Sequence, residues 1–313
     1  MLSNSKSFML QIPNQTVIFL MGPTASGKTD LAIQLANQFK ARLISVDSAL
    51  IYKGMDIGTA KPNETTLKKY PHHLINICHP ENSYSAFDFV HDAKAQIKIA
   101  FNKGETPILV GGTSFYFNAL EHGLSKLPES TLKSKEKFNQ LLKEKGTHKL
   151  HKDLEKIDPQ AANRIHPNDS QRITRALEVF ALSGKTLSEL QGNKQSNITH
   201  PIKKIILMPE RAELHQRIET RFLSMMENNF LAEVKTLKQN PNLHENLPAI
   251  RCVGYRQAWQ YLNGEINKTE MIEKAIIATR QLCKRQSTWL KSETNALVLE
   301  KSNIQAIIDF IQS

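Results

Sequence analysis

The sequence predicts an α/β protein: a core built on a parallel sheet, an inserted helical domain and a helical C-terminal region. Three observations predict it. A strand-like run, "TVIFLMG" (16–22), leads into the glycine-rich "GPTASGKTD" (22–30), and helical spacing follows. Two more strand-like runs alternate with helical segments before residue 124, the texture of a sheet covered by helices. From about 124 to 200 no strand-like run occurs, and the next is "IKKIILMPE" (202–210).

The elements follow in order. After Lys28 and Thr29, apolar residues fall at Leu31, Ala32, Leu35 and Phe39, one face of a helix. Strand, glycine loop and helix together are the context of a phosphate-binding loop, so the core is expected to be P-loop NTPase-like. "ARLISVDSALIY" (41–52) is expected as a second strand, with Asp47 and Ser48 at its C-terminal end, where open α/β sheets face their ligands. The segment 84–104 is a helix opened by a capping box, Ser85 with Asp88, and buried along Phe89, Ala93, Ile97 and Ala100. "PILVGGT" (107–113) is a third core strand, and "SFYFNALEHG" a helix after it. The stretch after residue 124 is lysine-rich and helical, and 170–184 is an amphipathic helix with Ile173, Ala176, Leu177 and Phe180 inward. The expected domains are therefore a core, 1–123 with 201–313, and a helical insertion, 124–200. Everything after 211 is expected to be mainly helical.

The chain has 313 residues, 40% of them hydrophobic and 23% charged, ordinary for a globular protein with a real core. Lysine and arginine outnumber the acids 41 to 30, a formal charge of +11, which fits either a polyanionic partner or plain solubility. The apolar run "VIFLM" is far shorter than the ~20 residues of a membrane span, and no secretory leader is visible. Three well-separated cysteines, Cys78, Cys252 and Cys283, without any C-x-x-C pair, point to reduced thiols. The expectation is a cytoplasmic protein with no membrane partner and, by default, a monomer. His72, His73, Cys78 and His79 crowd one stretch, but their spacing fits no common zinc pattern.

In the loop, backbone N–H groups and the helix N-terminus attract phosphate oxygens. Lys28 reaches the phosphates, and the Thr29 hydroxyl is placed to bind Mg²⁺. Hydrolysis of a triphosphate is less well supported, because the strand "ILVGGT" ends in glycines, not in the aspartate that usually holds the metal. The carboxylate available at a strand end is Asp47, a base or substrate contact on one view and a turn cap on the other. That arrangement favours group transfer. A small-molecule kinase and an RNA-binding protein with a nucleotide-sensing loop are the rivals. The length and the basic second half argue against the first, and Asp47 against the second.

"GPTASGKTDLA", "DSALIYKGMDIGTAKP", "PHHLI", "YSAFDF", "VGGTSFYFNAL", "DSQRITRALEVFALSGKTLSEL", "RCVGYRQAW" and "ATRQLCKRQSTWL", in this order over residues 17–291, resemble the bacterial tRNA dimethylallyltransferase (tRNA isopentenyltransferase) family. The resemblance implies transfer of a dimethylallyl group from dimethylallyl pyrophosphate to the exocyclic amine of the adenosine just 3′ of the anticodon. The loop Gly22, Pro23, Thr24, Ala25, Ser26, Gly27, Lys28 and Thr29 would then hold the donor's pyrophosphate with Mg²⁺, and Thr24 or Ser26 would add a hydroxyl contact. Asp47 would be the base, and Arg221 would approach the pyrophosphate, although by pattern alone an exposed helix arginine is the favoured reading. The tRNA anticodon stem-loop would meet Asp47, Ser48, Ala49, Leu50 and Thr113. It would also meet Gln171, Arg172, Ile173, Thr174 and Arg175, with both arginines turned to RNA. Arg251, Cys252, Val253, Gly254, Tyr255 and Arg256 are a third set. The fourth is Lys284, Arg285, Gln286, Ser287, Thr288, Trp289, Leu290 and Lys291, with Arg280, Lys284 and Lys291 expected in one phosphate-tracking row. On pattern alone this last helix is more often a solvated face. The lysine-rich stretch 131–156 matches no motif of the family.

Overall fold

The computed structural model describes residues 15–191 and 196–313. The parts of the expected core at 1–14 and of the expected insertion at 192–195 lie outside the described residues.

The chain forms β1 (Val17–Met21), α1 (Lys28–Ala36), β2 (Ala41–Val46), α2 (Glu64–Lys69), β3 (His72–His73), α3 (Ala86–Asn102), β4 (Thr106–Gly111) and α4 (Ser114–His122). Five helices follow: α5 (Leu132–Lys145), α6 (Thr147–Ile157), α7 (Pro159–Arg164), α8 (Ser170–Ser183) and α9 (Leu187–Leu190). The chain then makes β5 (Ile202–Leu207), α10 (Arg211–Glu227), α11 (Phe230–Lys238), α12 (Tyr255–Leu262), α13 (Lys268–Leu290), β6 (Ala296–Leu299) and α14 (Ile304–Gln312).

Among the described residues, six strands make one parallel sheet in the order β3-β2-β4-β1-β5-β6. β1 runs between β4 and β5, and the connections diverge to either side of it. The carboxyl ends of β1, β2 and β4 therefore open a crevice at the place where strand order reverses, the usual ligand position in such sheets. β1 is wholly buried, which explains its unbroken apolar run. One face of the sheet packs Ile18, Leu20, Ile108 and Ile205 against Leu31 and Leu35 of α1 and Ile307 and Ile311 of α14.

The chain divides into two compact units, one of residues 1–121 with 197–313 and one of 122–196. The second unit is helical and closes on its own core, including Phe138, Leu150, Leu154, Ile173 and Val179. Residues 197–200, expected in the insertion, fall in the first unit, where the Asn197 N–H donates to the Leu120 carbonyl at 3.3 Å.

One expectation about an element changes and two hold. β2 ends at Val46, and 47–52 turn away instead of continuing the strand. The reason is local: Asp47 Oδ1 accepts the N–H groups of Ala49 at 2.8 Å and Leu50 at 3.2 Å, which folds the backbone over. The region after 211 is mainly helical as expected, with one short addition, Ala296–Leu299, which pairs with β5 as an edge strand. It is only 4 residues long and none of them is fully buried, so its pattern is weak. The Ser85–Asp88 capping box forms as expected, with the Ser85 N–H donating to Asp88 at 2.8 Å and the Asp88 N–H donating to Ser85 at 3.2 Å.

Candidate active site

The loop between β1 and α1 is shaped by its small residues. Ala25 and Gly27 take left-handed backbone, φ 64° and 90°. A Cβ on Gly22 would come 2.6 Å from the Ser26 hydroxyl and 2.7 Å from the Leu207 carbonyl, so only glycine fits. Ser26 is thereby turned under the loop, buried and without a hydrogen-bond partner for its hydroxyl. Thr24, not Ser26, offers its hydroxyl at the loop surface.

Three long-range contacts hold the loop. Arg221 of α10 donates from Nη2 to Thr24 Oγ1 at 2.5 Å. Arg217, one turn earlier, donates to the carbonyls of Ala25 at 3.3 Å and Ser26 at 3.2 Å, and its other end pairs with Glu213. Gln286 of α13 accepts the Thr24 N–H at 2.9 Å. Lys28 Nζ rests on the Pro23 carbonyl at 3.1 Å. Desolvation pushes the Lys28 ammonium down to about 8 against the pull of the Asp47 carboxylate, with Arg221 adding to the depression. Arg221 is likewise lowered by burial and supported by Asp47. Two cations and one carboxylate thus share the crevice, from α1, α10 and the end of β2.

Asp47 sits in the turn that leaves β2. The Thr113 N–H donates to the Val46 carbonyl at 3.2 Å, and the Ser48 N–H donates to Thr113 Oγ1 at 3.1 Å. The ends of β2 and β4 are thus tied at the crevice, Thr113 beside Ser48. The close approach needs Gly111, whose Cβ would lie 2.0 Å from the Val46 carbonyl oxygen. Burial, helped by the Asp47 carboxylate, raises the Cys252 thiol to about 12.

Several expected RNA contacts are placed differently. Ile173 is fully buried in the core of the second unit, and Leu290 is 4% exposed. Tyr255 is fully buried and donates its hydroxyl to Glu233 at 2.5 Å. Each belongs to the apolar side of its helix, and the neighbouring basic residues do not bring it outward. Arg175 is tied down, donating to Ser130 at 2.7 Å, Glu178 at 2.6 Å and the Pro128 carbonyl at 2.6 Å. Desolvation pushes the Glu178 carboxyl up, but hydrogen bonds from Ser134, Ser130 and Arg175 outweigh it and hold the group low. Arg280 pairs with Glu219 at 2.6 Å, so it is not a free member of a phosphate-tracking row. Thr174 and Thr288 spend their hydroxyls on their own helices, at Ser170 and Lys284 carbonyls. Gly254 is buried, with φ 91°, as the cap of α12. Gln171, Arg172, Ser48, Arg251, Arg256, Lys284, Arg285 and Lys291 are exposed, and Ala49, Leu50, Thr113, Cys252, Val253, Ser287 and Trp289 are half-buried.

The sequence missed Glu233. From α11 its carboxylate accepts the N–H groups of Asp56 and Ile57 at 2.8 Å and Gly58 at 3.2 Å, besides the Tyr255 hydroxyl. Three consecutive amides around one carboxylate make an anion nest. Lys61 complements it, donating to the Tyr52 carbonyl at 2.7 Å and to Asp56 and Asn76 at 2.6 Å. Together they pin the loop that follows the Asp47 turn. Nothing in the α11 sequence distinguishes this glutamate from a solvent-facing one.

In the histidine cluster, His72 Nδ1 meets the Tyr70 carbonyl at 2.7 Å, and His73 Nδ1 lies 3.5 Å from Arg42. Cys78, Cys252 and Cys283 are all free. Among the described residues no helix is long and apolar enough to cross a membrane.

The chain is similar to known proteins over nearly its whole length. The model of the family described as IPP transferase matches residues 50–293. A tRNA dimethylallyltransferase from Ruthia magnifica subsp. Calyptogena magnifica is 78% identical over 300 residues, 96% of this chain and 98% of that one. One from Vesicomyosocius okutanii subsp. Calyptogena okutanii is 77% identical with the same coverage. Among solved structures, the full-length tRNA isopentenylpyrophosphate transferase of Bacillus halodurans matches with a TM-score of 0.68 at 32% identity, over 95% of this chain and 94% of that one. A eukaryotic dimethylallyltransferase acting on tRNA matches with a TM-score of 0.73 at 27% identity, over 90% of this chain and 73% of that one. The chain therefore belongs to the IPP transferase family, the family of the tRNA dimethylallyltransferases.

Proposed function

We propose that this enzyme transfers the dimethylallyl group of dimethylallyl pyrophosphate to the exocyclic amine of the adenosine immediately 3′ of the anticodon in tRNA, giving isopentenyladenosine and pyrophosphate. The observation that carries the reading is the pairing of Lys28 and Arg221, both in contact with the loop after β1, with one carboxylate, Asp47, in the turn that leaves β2 at the same carboxyl end of the sheet. A group transfer with an anionic leaving group and an acidic-proton nucleophile needs those parts.

The loop from Gly22 to Thr29 is P-loop-like and receives the diphosphate on the N–H groups at the start of α1, where the helix dipole also favours it. As the allylic carbon leaves the diphosphate oxygen, the C–O electron pair stays on that oxygen. Lys28, Arg221 and the loop amides stabilise the growing charge, a preorganised electrostatic effect. The exocyclic nitrogen forms the new N–C bond and loses a proton to Asp47. Ser48 and Thr113 border the position the extruded base must take, since a stacked base cannot reach the carbon. Thr29 lies in the first turn of α1 and offers a hard hydroxyl oxygen of the kind Mg²⁺ takes. Bound by Thr29 and the diphosphate, it would supply Lewis-acid stabilisation of the leaving group.

On the RNA side, Arg251, Arg256, Lys284, Arg285 and Lys291 in the first unit are exposed cations fitted to phosphates, and Trp289 is a stacking surface. In the second unit, Gln171 and Arg172 are the exposed candidates of their motif. A cytoplasmic, monomeric enzyme is the accompanying expectation.

The test is direct. Purified protein, Mg²⁺, unmodified tRNA and dimethylallyl pyrophosphate are mixed, and the digested RNA is analysed by mass spectrometry. A prenylated adenosine at the position 3′ of the anticodon, absent without donor, is expected. No prenylated nucleoside, with phosphoryl transfer from ATP to a small acceptor instead, would overturn the reading.

A further inference from the structure

Gln286 lies among basic residues, and its sequence context puts it with the RNA contacts. Its partners in the fold are different. Its Oε1 accepts the Thr24 N–H at 2.9 Å, and its Nε2 donates to the Gly112 carbonyl at 2.8 Å. One rigid carboxamide therefore joins the phosphate loop to the end of β4, across 262 and 174 residues of sequence. The approach is tight. A Cβ on Gly112 would lie 2.5 Å from Gln286 Nε2 and 3.0 Å from the Gly22 carbonyl oxygen. Thr24 is then held at two points, its N–H by Gln286 and its hydroxyl by Arg221.

We propose that Gln286 is a positioning residue of the donor site. It orients the Thr24 peptide so that the hydroxyl meets Arg221 and the loop keeps the shape that receives a diphosphate. It acts on the donor and not on the RNA. The role needs an acceptor and a donor on one plane at fixed separation. Glutamine supplies both, glutamate lacks the donor and methionine lacks both while keeping the volume. The inference rests on the reading of the loop as the donor site.

The experiment measures two things on Gln286→Met and Gln286→Glu: calorimetric binding of inorganic pyrophosphate with Mg²⁺, and KM for donor and tRNA separately. Losing the hydrogen bonds to Thr24 and Gly112, as the methionine variant does, is expected to raise the pyrophosphate Kd and the donor KM by about ten- to a hundredfold, with the tRNA KM changed by no more than about twofold. Gly112→Ala displaces the same carboxamide, so it should reproduce the effect, and the double variant should be no worse than either single one. A raised tRNA KM with unchanged pyrophosphate affinity would make Gln286 an RNA contact and overturn the proposal. Equal loss on both substrates, together with a lowered unfolding temperature, would reduce it to general stability and overturn it too. If the methionine variant does not fold, the glutamate variant carries the comparison. If the wild type binds pyrophosphate and the variants do not, yet no dimethylallyl transfer occurs, the function reading fails while this inference stands.

Discussion

Asp47 Oδ1 caps the turn through Ala49 and Leu50, and this role does not exclude the proposed role of base. Asp47→Asn keeps an acceptor for the turn and removes the base. The transfer step, followed in a single turnover, should slow by about a hundredfold or more. Asp47→Ala should also loosen the turn. Lys28 makes a second prediction through its depressed value of about 8. The free site carries the cation below that pH and loses it above, while a bound anion favours the charged form. Pyrophosphate affinity should therefore fall as pH rises from 7 to 9, by about tenfold. Above pH 8 binding should take up a proton, visible by calorimetry in buffers of different ionisation enthalpy. A flat affinity across that range would show that Lys28 does not bear on the phosphates.

At the scale of elements, α10, α11 and α13 matter for what they hold still. α10 brings Arg217 and Arg221 to the loop one turn apart, and α13 brings Gln286. α11 brings Glu233 to the loop that continues from the Asp47 turn, with Gly58 fitted beneath it. A Cβ there would lie 2.3 Å from the Phe230 ring and 2.6 Å from Tyr255. Phe230 and Tyr255 meet edge-on at 5.2 Å, so that wall has little room to give. Glu233→Ala leaves three amides and a buried hydroxyl without their acceptor. It should destabilise the protein by about 2–4 kcal/mol in denaturant unfolding. Among the molecules that remain folded, kcat should fall more than the donor KM rises, because the loop it pins leads from Asp47 and not from the phosphate site.

At the scale of the whole molecule, the +11 charge acquires a direction. Basic residues that pair internally, such as Arg175 and Arg280, are subtracted from any RNA-binding surface. Exposed ones, Arg251, Arg256, Lys284, Arg285 and Lys291, remain available. Binding of tRNA should weaken steeply with salt, by about tenfold or more between 50 and 200 mM. Charge reversal at Lys284 or Arg285 should reduce that slope by about one for each phosphate left without its cation. A salt-independent tRNA affinity would mean that these cations are only a solvated face.

The sequence by itself determined the features whose cause is local. The glycine-rich loop lies within a few residues of one strand and one helix, its glycines are required by the backbone it adopts, and the Ser85 capping box is satisfied within a single turn. Asp47 at the end of β2 was legible because strand ends face the crevice in a parallel sheet. The tertiary structure alone decided what depends on distant partners. It buried Ile173, Leu290 and Tyr255 and added β6 as a short edge beside β5. It also gave Gln286 and Glu233 their backbone partners, which lie 174 and 262 residues and 175 to 177 residues away. A helix surface displays its polar side chains alike in sequence. Which one meets a loop amide and which one meets water is settled only when the elements pack, by the cost of leaving a buried N–H without an acceptor.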